Sequence, residues 1–405
     1  MTRDIPQLDS IEKAIYDLQT EQLLHAQALD SHNDRITKLE GEELDPGPDP
    51  GPTPGPVKKL HRIFMNMFHY TKTPYAVQWI DGKWVFDPLM LEALKPYGGI
   101  RVMDWQEIVD NPVVSWNDRP QVGDNFLKKG VPLEALVELA NTLDCHLWAC
   151  IPTRRDETWL EGFSNLIKTK LKNTLYIEES NETFHRNQWE KSQAGDWPHW
   201  WNFHVDRMLY SFDFLKQRLG AKVVTVFSGQ HSNIGLTSSN GLNKMGNSDL
   251  SLIDAISSAP YSGITNAVVE KLHNGSMPMD EALVREIFET QIGKDLTICS
   301  QWNTLASKFN VDYLVYEYNN SLASYSPETA ANSQLVAFLK EMAQRNWCID
   351  GQIYFMKHWF EYSNAITLCR YAAAGELDNW GNWPDFYSDW FPRPIAATYQ
   401  QEFSK

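Results

Sequence analysis

The chain has 405 residues, 42% hydrophobic and 12% aromatic, which is ample for a large buried core and excludes wholesale disorder. Lys and Arg number 36 against 52 Asp and Glu, a formal net charge of −16 that repels phosphate backbones and argues against nucleic acid as a partner. No run of eighteen apolar residues exists and the opening MTRDIPQLDS lacks the apolar centre of a signal peptide, so neither a membrane span nor classical secretion is expected.

Residues 1–44 read as a coiled-coil oligomerisation stalk. Leu8, Ile11, Ile15, Leu18, Gln22, His25, Leu29, His32, Ile36 and Leu39 keep an unbroken 3-4 spacing with charged or polar residues between them. Gln22, His25 and His32 weaken this seam while fixing its register. The mixed Ile and Leu leave dimer and trimer both open. Residues 45–57 contain DPGPDPGPTPGP, an alternation of Pro and Gly that favours an extended spacer and marks a boundary. Residues 1–56 hold 12 acidic and 4 basic side chains, so half of the net charge precedes the remaining domain.

Residues 58–405 alternate short apolar runs with helical patterns. The runs fall at Ile63–Tyr70, Ile100–Trp105, His146–Ile151, Thr174–Glu179, Val223–Phe227, Asp254–Ala259, Tyr313–Tyr318 and Gln352–Trp359. Helical stretches such as PLEALVELANTLD and ANSQLVAFLKEMAQRN lie between them. Eight strands alternating with helices predict an α/β fold of the (β/α)8 TIM-barrel type. A doubly wound sheet is the rival, but no G-x-G-x-x-G follows the first strand. The five cysteines (Cys145, Cys150, Cys299, Cys348, Cys369) form no C-x-x-C pair and read as reduced core residues.

In such a barrel, chemistry collects where strands end. The second predicted strand ends in Arg101-Val-Met-Asp104-Trp105, the fourth runs into Asn181-Glu182, and the sixth is followed by Tyr261. The seventh carries Glu317 and the eighth ends at Trp359. Glu182 and Glu317 are thus two carboxyls on opposite sides of one mouth, as glycosidic cleavage requires. Each also has a plainer reading: Glu182 as a helix-start acid, Glu317 as an ion-pair partner of Arg101, Tyr261 as a turn residue, Trp359 as core. Trp197, Trp200, Trp201, Trp380 and Trp383 lie among Gly, Pro, Asn and Asp, a setting for exposed stacking platforms as well as for packing. No H-E-x-x-H, G-x-S-x-G or P-loop occurs, so no metal ligand set and no cofactor is expected, although a structural calcium stays open.

The order Arg, Asn-Glu, Tyr, Glu, Trp along strands two to eight resembles the clan A retaining glycoside hydrolases. The segments RVMDW, GVPLEALVELANTLDCHLWACIP, LYIEESNETF and LVYEYNN are similar to those of cellulase-like barrels, over most of residues 60–360. The resemblance implies that Glu182 is the acid/base, Glu317 the nucleophile and Asn181 a donor to a substrate hydroxyl. It also implies that Arg101 and Tyr261 orient the nucleophile and that Trp359 floors the subsite; Asp104 and Trp105 are further candidate substrate contacts, with a loop cap the alternative for Asp104. Phe184 stands where the group often has Trp, and Tyr318-Asn319 replace small residues.

With the stalk and linker, the whole resembles a bacteriophage tail fibre or tailspike. That implies a homotrimeric polysaccharide depolymerase, made in a bacterial cytoplasm and carried on the virion tail. Its partners would be a host-surface polysaccharide and other tail proteins. A non-catalytic glycan receptor-binding tail protein is the alternative.

Overall fold

The computed structural model describes residues 59–67, 76–124, 130–185, 187–375, 377, 380–381, 384–388 and 390–404. The predicted stalk and linker lie outside these residues. Eight parallel strands close on themselves: β1 (Ile63–Asn66), β2 (Gly99–Arg101), β3 (His146–Ile151), β4 (Leu175–Glu179), β5 (Val223–Ser228), β6 (Ala255–Ser258), β7 (Asp312–Ser321) and β8 (Ala365–Arg370). Each pairs with the next, and β8 returns to β1 with Ile63 opposite Leu368. The predicted (β/α)8 barrel is therefore the fold.

Two apolar layers explain why the strands read as almost continuous apolar runs. Alternate side chains point inward, and Phe64, Trp148, Val226, Ala255, Leu314, Tyr316 and Cys369, from six strands, meet in one axial cluster. Their neighbours Ile63, Met65, Leu147, Ile177, Phe227, Ile256, Val315 and Leu368 pack outward in the cluster shared with the helices. The helices start and stop where the sequence supplies caps. Asp156 accepts from the Trp159 amide ahead of Glu157–Lys170, and Asp280 accepts from the Leu283 amide ahead of Glu281–Phe309. Asp144 ends Leu133–Leu143 with φ 52°.

Two departures from the predicted elements bear on the mouth of the barrel. Gln352–Trp359, taken as the eighth strand, is the second half of helix Asn346–Trp359, and the eighth strand is Ala365–Arg370. A hairpin of Val77–Ile80 and Lys83–Phe86 also enters the connection after β1, turning at Asp81-Gly82 with φ 50° and 76°. That dipeptide suits a tight primed turn. All five cysteines are buried and unpaired, in line with their reading as core. No helix among the described residues is long and apolar enough to cross a membrane.

Candidate active site

The end of β2 delivers a guanidinium to the barrel axis. Arg101 is fully buried, and Nη1 donates to Glu317 Oε1 at 2.7 Å. Nε and Nη2 both donate to Glu178 Oε1, at 3.0 and 2.8 Å, and Nη2 also reaches Asn181 Oδ1 at 2.8 Å. The rings of Trp148 and Tyr316 flank it at 5.7 and 5.2 Å. Removing this cation from water is costly unless several acceptors surround it, and β4 and β7 supply them. Glu178 is in turn held by Trp148 Nε1 at 3.0 Å and Cys150 Sγ at 3.2 Å.

Glu317 is gripped at both oxygens, since the Tyr261 hydroxyl donates to Oε2 at 2.8 Å. Burial pushes its carboxyl up to about 7, a rise that Arg101 opposes, the charge of Glu182 reinforces and the Tyr261 bond opposes again. Across the mouth, the chain leaves β4 through Ser180 at φ 61° and Glu182 at φ 48°, a left-handed region that non-glycine residues seldom occupy. Ser180 is fixed there by its amide N–H, which donates to the Ile151 carbonyl at 2.8 Å, and by Thr153 Oγ1, which donates to its hydroxyl at 2.7 Å. Glu182 Oε1 accepts from the Tyr316 hydroxyl at 3.0 Å.

Asp104 joins the same space. Asn66 Nδ2 approaches its Oδ2 at 3.4 Å, and burial followed by the charge of Glu317 raises its carboxyl well above the usual range. Tyr371, just past β8, faces Tyr261 edge to face at 6.0 Å. Burial, then the charges of Asp104 and Glu317, raises its phenol.

The structure thus gathers Arg101, Asp104, Asn181, Glu182, Tyr261 and Glu317. It does not gather two residues that the sequence reading placed along a substrate. Trp105 is 1% exposed and packed in the core, leaving no ring face for a sugar. Trp359 is fully buried at the end of its helix against Tyr313, with ring centroids 5.7 Å apart. Once the eighth strand is corrected, the aromatic residue beyond it is Tyr371. Of the loop tryptophans, Trp197 and Trp380 are exposed, Trp200 and Trp201 are buried, and Trp383 lies outside the described residues.

Sequence reasoning missed Glu178, Asn66, Tyr316 and Tyr371. For Glu178 a signal existed: two residues after Tyr176 in an apolar strand, its carboxyl occupies an inward position level with Arg101.

No protein-family model matches the chain, and no curated protein sequence matches it. Several solved structures are similar in outline. The GH51 arabinofuranosidase from Xanthomonas axonopodis pv. citri is 12% identical, over 82% of this chain and 69% of that one, with a TM-score of 0.45. Xylanase B from Clostridium stercorarium F9 is 10% identical over 84% and 96%, with a TM-score of 0.46. A 4-O-α-L-rhamnosyl-β-D-glucuronidase from Fusarium oxysporum 12S is 14% identical over 84% and 68%, with a TM-score of 0.45. At such distances the chemistry must be read from the site itself.

Proposed function

We propose that the protein is a retaining endo-glycoside hydrolase, a depolymerase of a host-surface polysaccharide borne on a trimeric phage tail fibre or tailspike. The observation that carries the hydrolase reading is the unequal treatment of two carboxyls at one mouth. Arg101 and Tyr261 fix both oxygens of Glu317, while Glu182 has a phenol at Oε1 and lies on a loop beyond its strand. A fixed carboxylate with an oriented lone pair suits attack at an anomeric carbon.

In the first step Glu317 forms a glycosyl ester as the departing oxygen takes a proton from Glu182. In the second, Glu182 takes a proton from water, which attacks the same carbon and frees Glu317, so configuration is retained. Arg101 occupies the oxygen of Asn181, so the amide nitrogen is the group that would donate to a sugar hydroxyl. The tail-borne, oligomeric setting is supported by the predicted stalk at 1–44 and the spacer that follows it, and the choice of a trimer by the resemblance to tailspikes.

The test is a screen of host-surface polysaccharides for new reducing ends. Glu317→Ala should lower turnover by 10³-fold or more while glycan binding persists, and the first-formed sugar should keep its anomeric configuration by proton NMR. Carboxyl groups about 5–5.5 Å apart in a crystal structure fit that outcome, and about 6.5–9.5 Å would make the enzyme inverting. Saturable binding without cleavage would make the protein a receptor-binding module. Near-wild-type turnover in Glu317→Ala would remove the mechanism.

A further inference from the structure

The pairing of β7 with β8 shifts register twice, first between Tyr313 and Leu314, where one step on β7 matches two on β8, and again between Val315 and Tyr318. Val315 stands opposite Leu368 and Tyr318 opposite Arg370, so three steps on β7 match two on β8. One residue is extra. A regular strand sends neighbouring side chains to opposite faces, yet Tyr316 lies in the axial cluster and Glu317 on Arg101, both inside the barrel. The bulge therefore aims two consecutive side chains at the site, a use of bulges that recurs beside active centres.

The consequence falls on Glu182. The buried Tyr316 ring has the Arg101 guanidinium 5.2 Å from its centroid, and its hydroxyl donates to Glu182 Oε1 at 3.0 Å. Burial and the charges of Glu182 and Glu317 push this phenol well above its ordinary value, so it remains a donor throughout the neutral range. Resting on the reading of Glu182 as acid/base, we infer that the bulge makes Tyr316 a positioning residue. Its hydroxyl holds the Glu182 carboxyl at the mouth and, by donating to the charged form, weakens that group's hold on its proton.

Other titratable groups surround Glu182. Glu317 lies on β7, Tyr261 beyond β6 and Tyr371 beyond β8. Glu178 and Glu179 on β4, and His204 on helix His199–Leu219, line the space beneath it. Burial keeps His204 neutral, its pKa lowered to about 3. Tyr316→Phe keeps the ring that separates these groups and removes only the hydroxyl.

The experiment is a carbon-13 NMR titration of glutamate carboxyls in the full chain, in Tyr316→Phe and in Glu182→Gln, which identifies the Glu182 resonance. The Glu182 midpoint should rise by about one pH unit in Tyr316→Phe. With a cleaved glycan, the basic limb of kcat/KM should move up equally, because the acid must be protonated. A merely structural tyrosine would change melting or KM and leave the midpoint in place, which overturns the inference.

If Tyr316→Phe does not fold, tyrosine Cζ is followed in the unaltered protein. One resonance should track the Glu182 midpoint and lose that movement in Glu182→Gln. Absence of such a resonance also overturns the inference. A raised midpoint in a protein that cleaves nothing would keep Tyr316 and remove the hydrolase reading, whereas an unmoved midpoint in an active one would do the reverse.

Discussion

Glu317 answers to two opposing demands. In the proposed mechanism nucleophilic attack needs its carboxylate, while burial beside Glu182 favours the neutral acid and raises its pKa to about 7. A carboxyl with a folded-state pKa above its unfolded one binds its proton more tightly when folded. The resulting stability is full below about 4.3 and is lost as pH rises through about 7. Glu190, which burial also raises to about 7, acts in the same window. Thermal unfolding should therefore show falling stability between pH 5 and pH 8, apart from contributions elsewhere.

Glu317→Gln sharpens that test, because the amide oxygen can still accept from Arg101 and the Tyr261 oxygen can accept from the amide nitrogen. The variant should gain on the order of 1–3 kcal/mol over the unaltered protein at pH 8 and almost nothing at pH 4. An offset equal at both pH values would show that ionisation of Glu317 costs the fold nothing. If Glu317 is the proposed nucleophile, the same group sets an acid limb near pH 7, so turnover should climb through neutrality rather than fall.

At the scale of elements, the first half of the barrel is held by a close approach at the start of β2. The Gly98 amide donates to the Ile63 carbonyl at 3.1 Å, and a Cβ there would meet the His61 carbonyl oxygen at 1.8 Å. Backbone cannot swing aside as a side-chain tip can. Gly98→Ala should cost about 2 kcal/mol or more in a denaturant titration, and a change within a few tenths would mean that the 59–62 turn yields freely.

The same scale shows what was legible. Seven strands were found because runs such as HLWACI and LYIEE are short, apolar and separated by helical periodicity. The eighth was misplaced because QIYFMKHW, buried on one side of a helix, is as apolar and as short as a strand. That slip carried Trp359 into the site in place of Tyr371. Arg101 and Glu182 were legible because each sits at or just past a strand end, and Glu317 because the apolar run predicted for the seventh strand ends one residue beyond it, although β7 itself continues to Ser321. The pairing of Tyr316 with Glu182 was not. Period-two alternation sends Tyr316 and Glu317 to opposite faces, and only the extra residue in β7 brings both inside.

Over the whole molecule, the last thirty or so residues are tied to the barrel by a second buried arginine. Arg370, at the end of β8, donates through Nε and Nη2 to Asp385 at 3.0 and 2.7 Å and through Nη1 to Gln352 at 3.1 Å. Asp385 also accepts from the Tyr399 hydroxyl at 2.9 Å, and Tyr399 meets the Tyr97 hydroxyl at 2.8 Å. One network thus joins β8, the helix before it, the C-terminal helix and the turn ahead of β2. Both charges of the pair are fully buried, so Asp385→Asn would strand a guanidinium in the interior and should cost about 3–5 kcal/mol. Unfolding should remain a single transition if the network belongs to the barrel, and an early separate step would mark the C-terminal segment as its own unit.

The stalk belongs to this scale as well, and its expected role separates tethering from chemistry. Removing residues 1–56 deletes the predicted seam and half of the net charge while leaving every group around Glu182 and Glu317 in place. If the parent is the proposed trimer, sedimentation equilibrium should find the truncated chain as a monomer, at somewhat less than one third of the parent's mass because residues 1–56 are gone. On a short soluble oligosaccharide its kcat/KM per site should be unchanged, because each barrel carries its own carboxyl pair. On intact cells bearing the proposed polysaccharide, retention should drop by 10²-fold or more if the parent is a trimer, since three linked barrels would bind a repeating polymer with an effective concentration that one barrel lacks. Unchanged mass would leave oligomerisation, if present, to the barrel itself, and lost oligosaccharide turnover would show that the N-terminal segment contributes to the cleft.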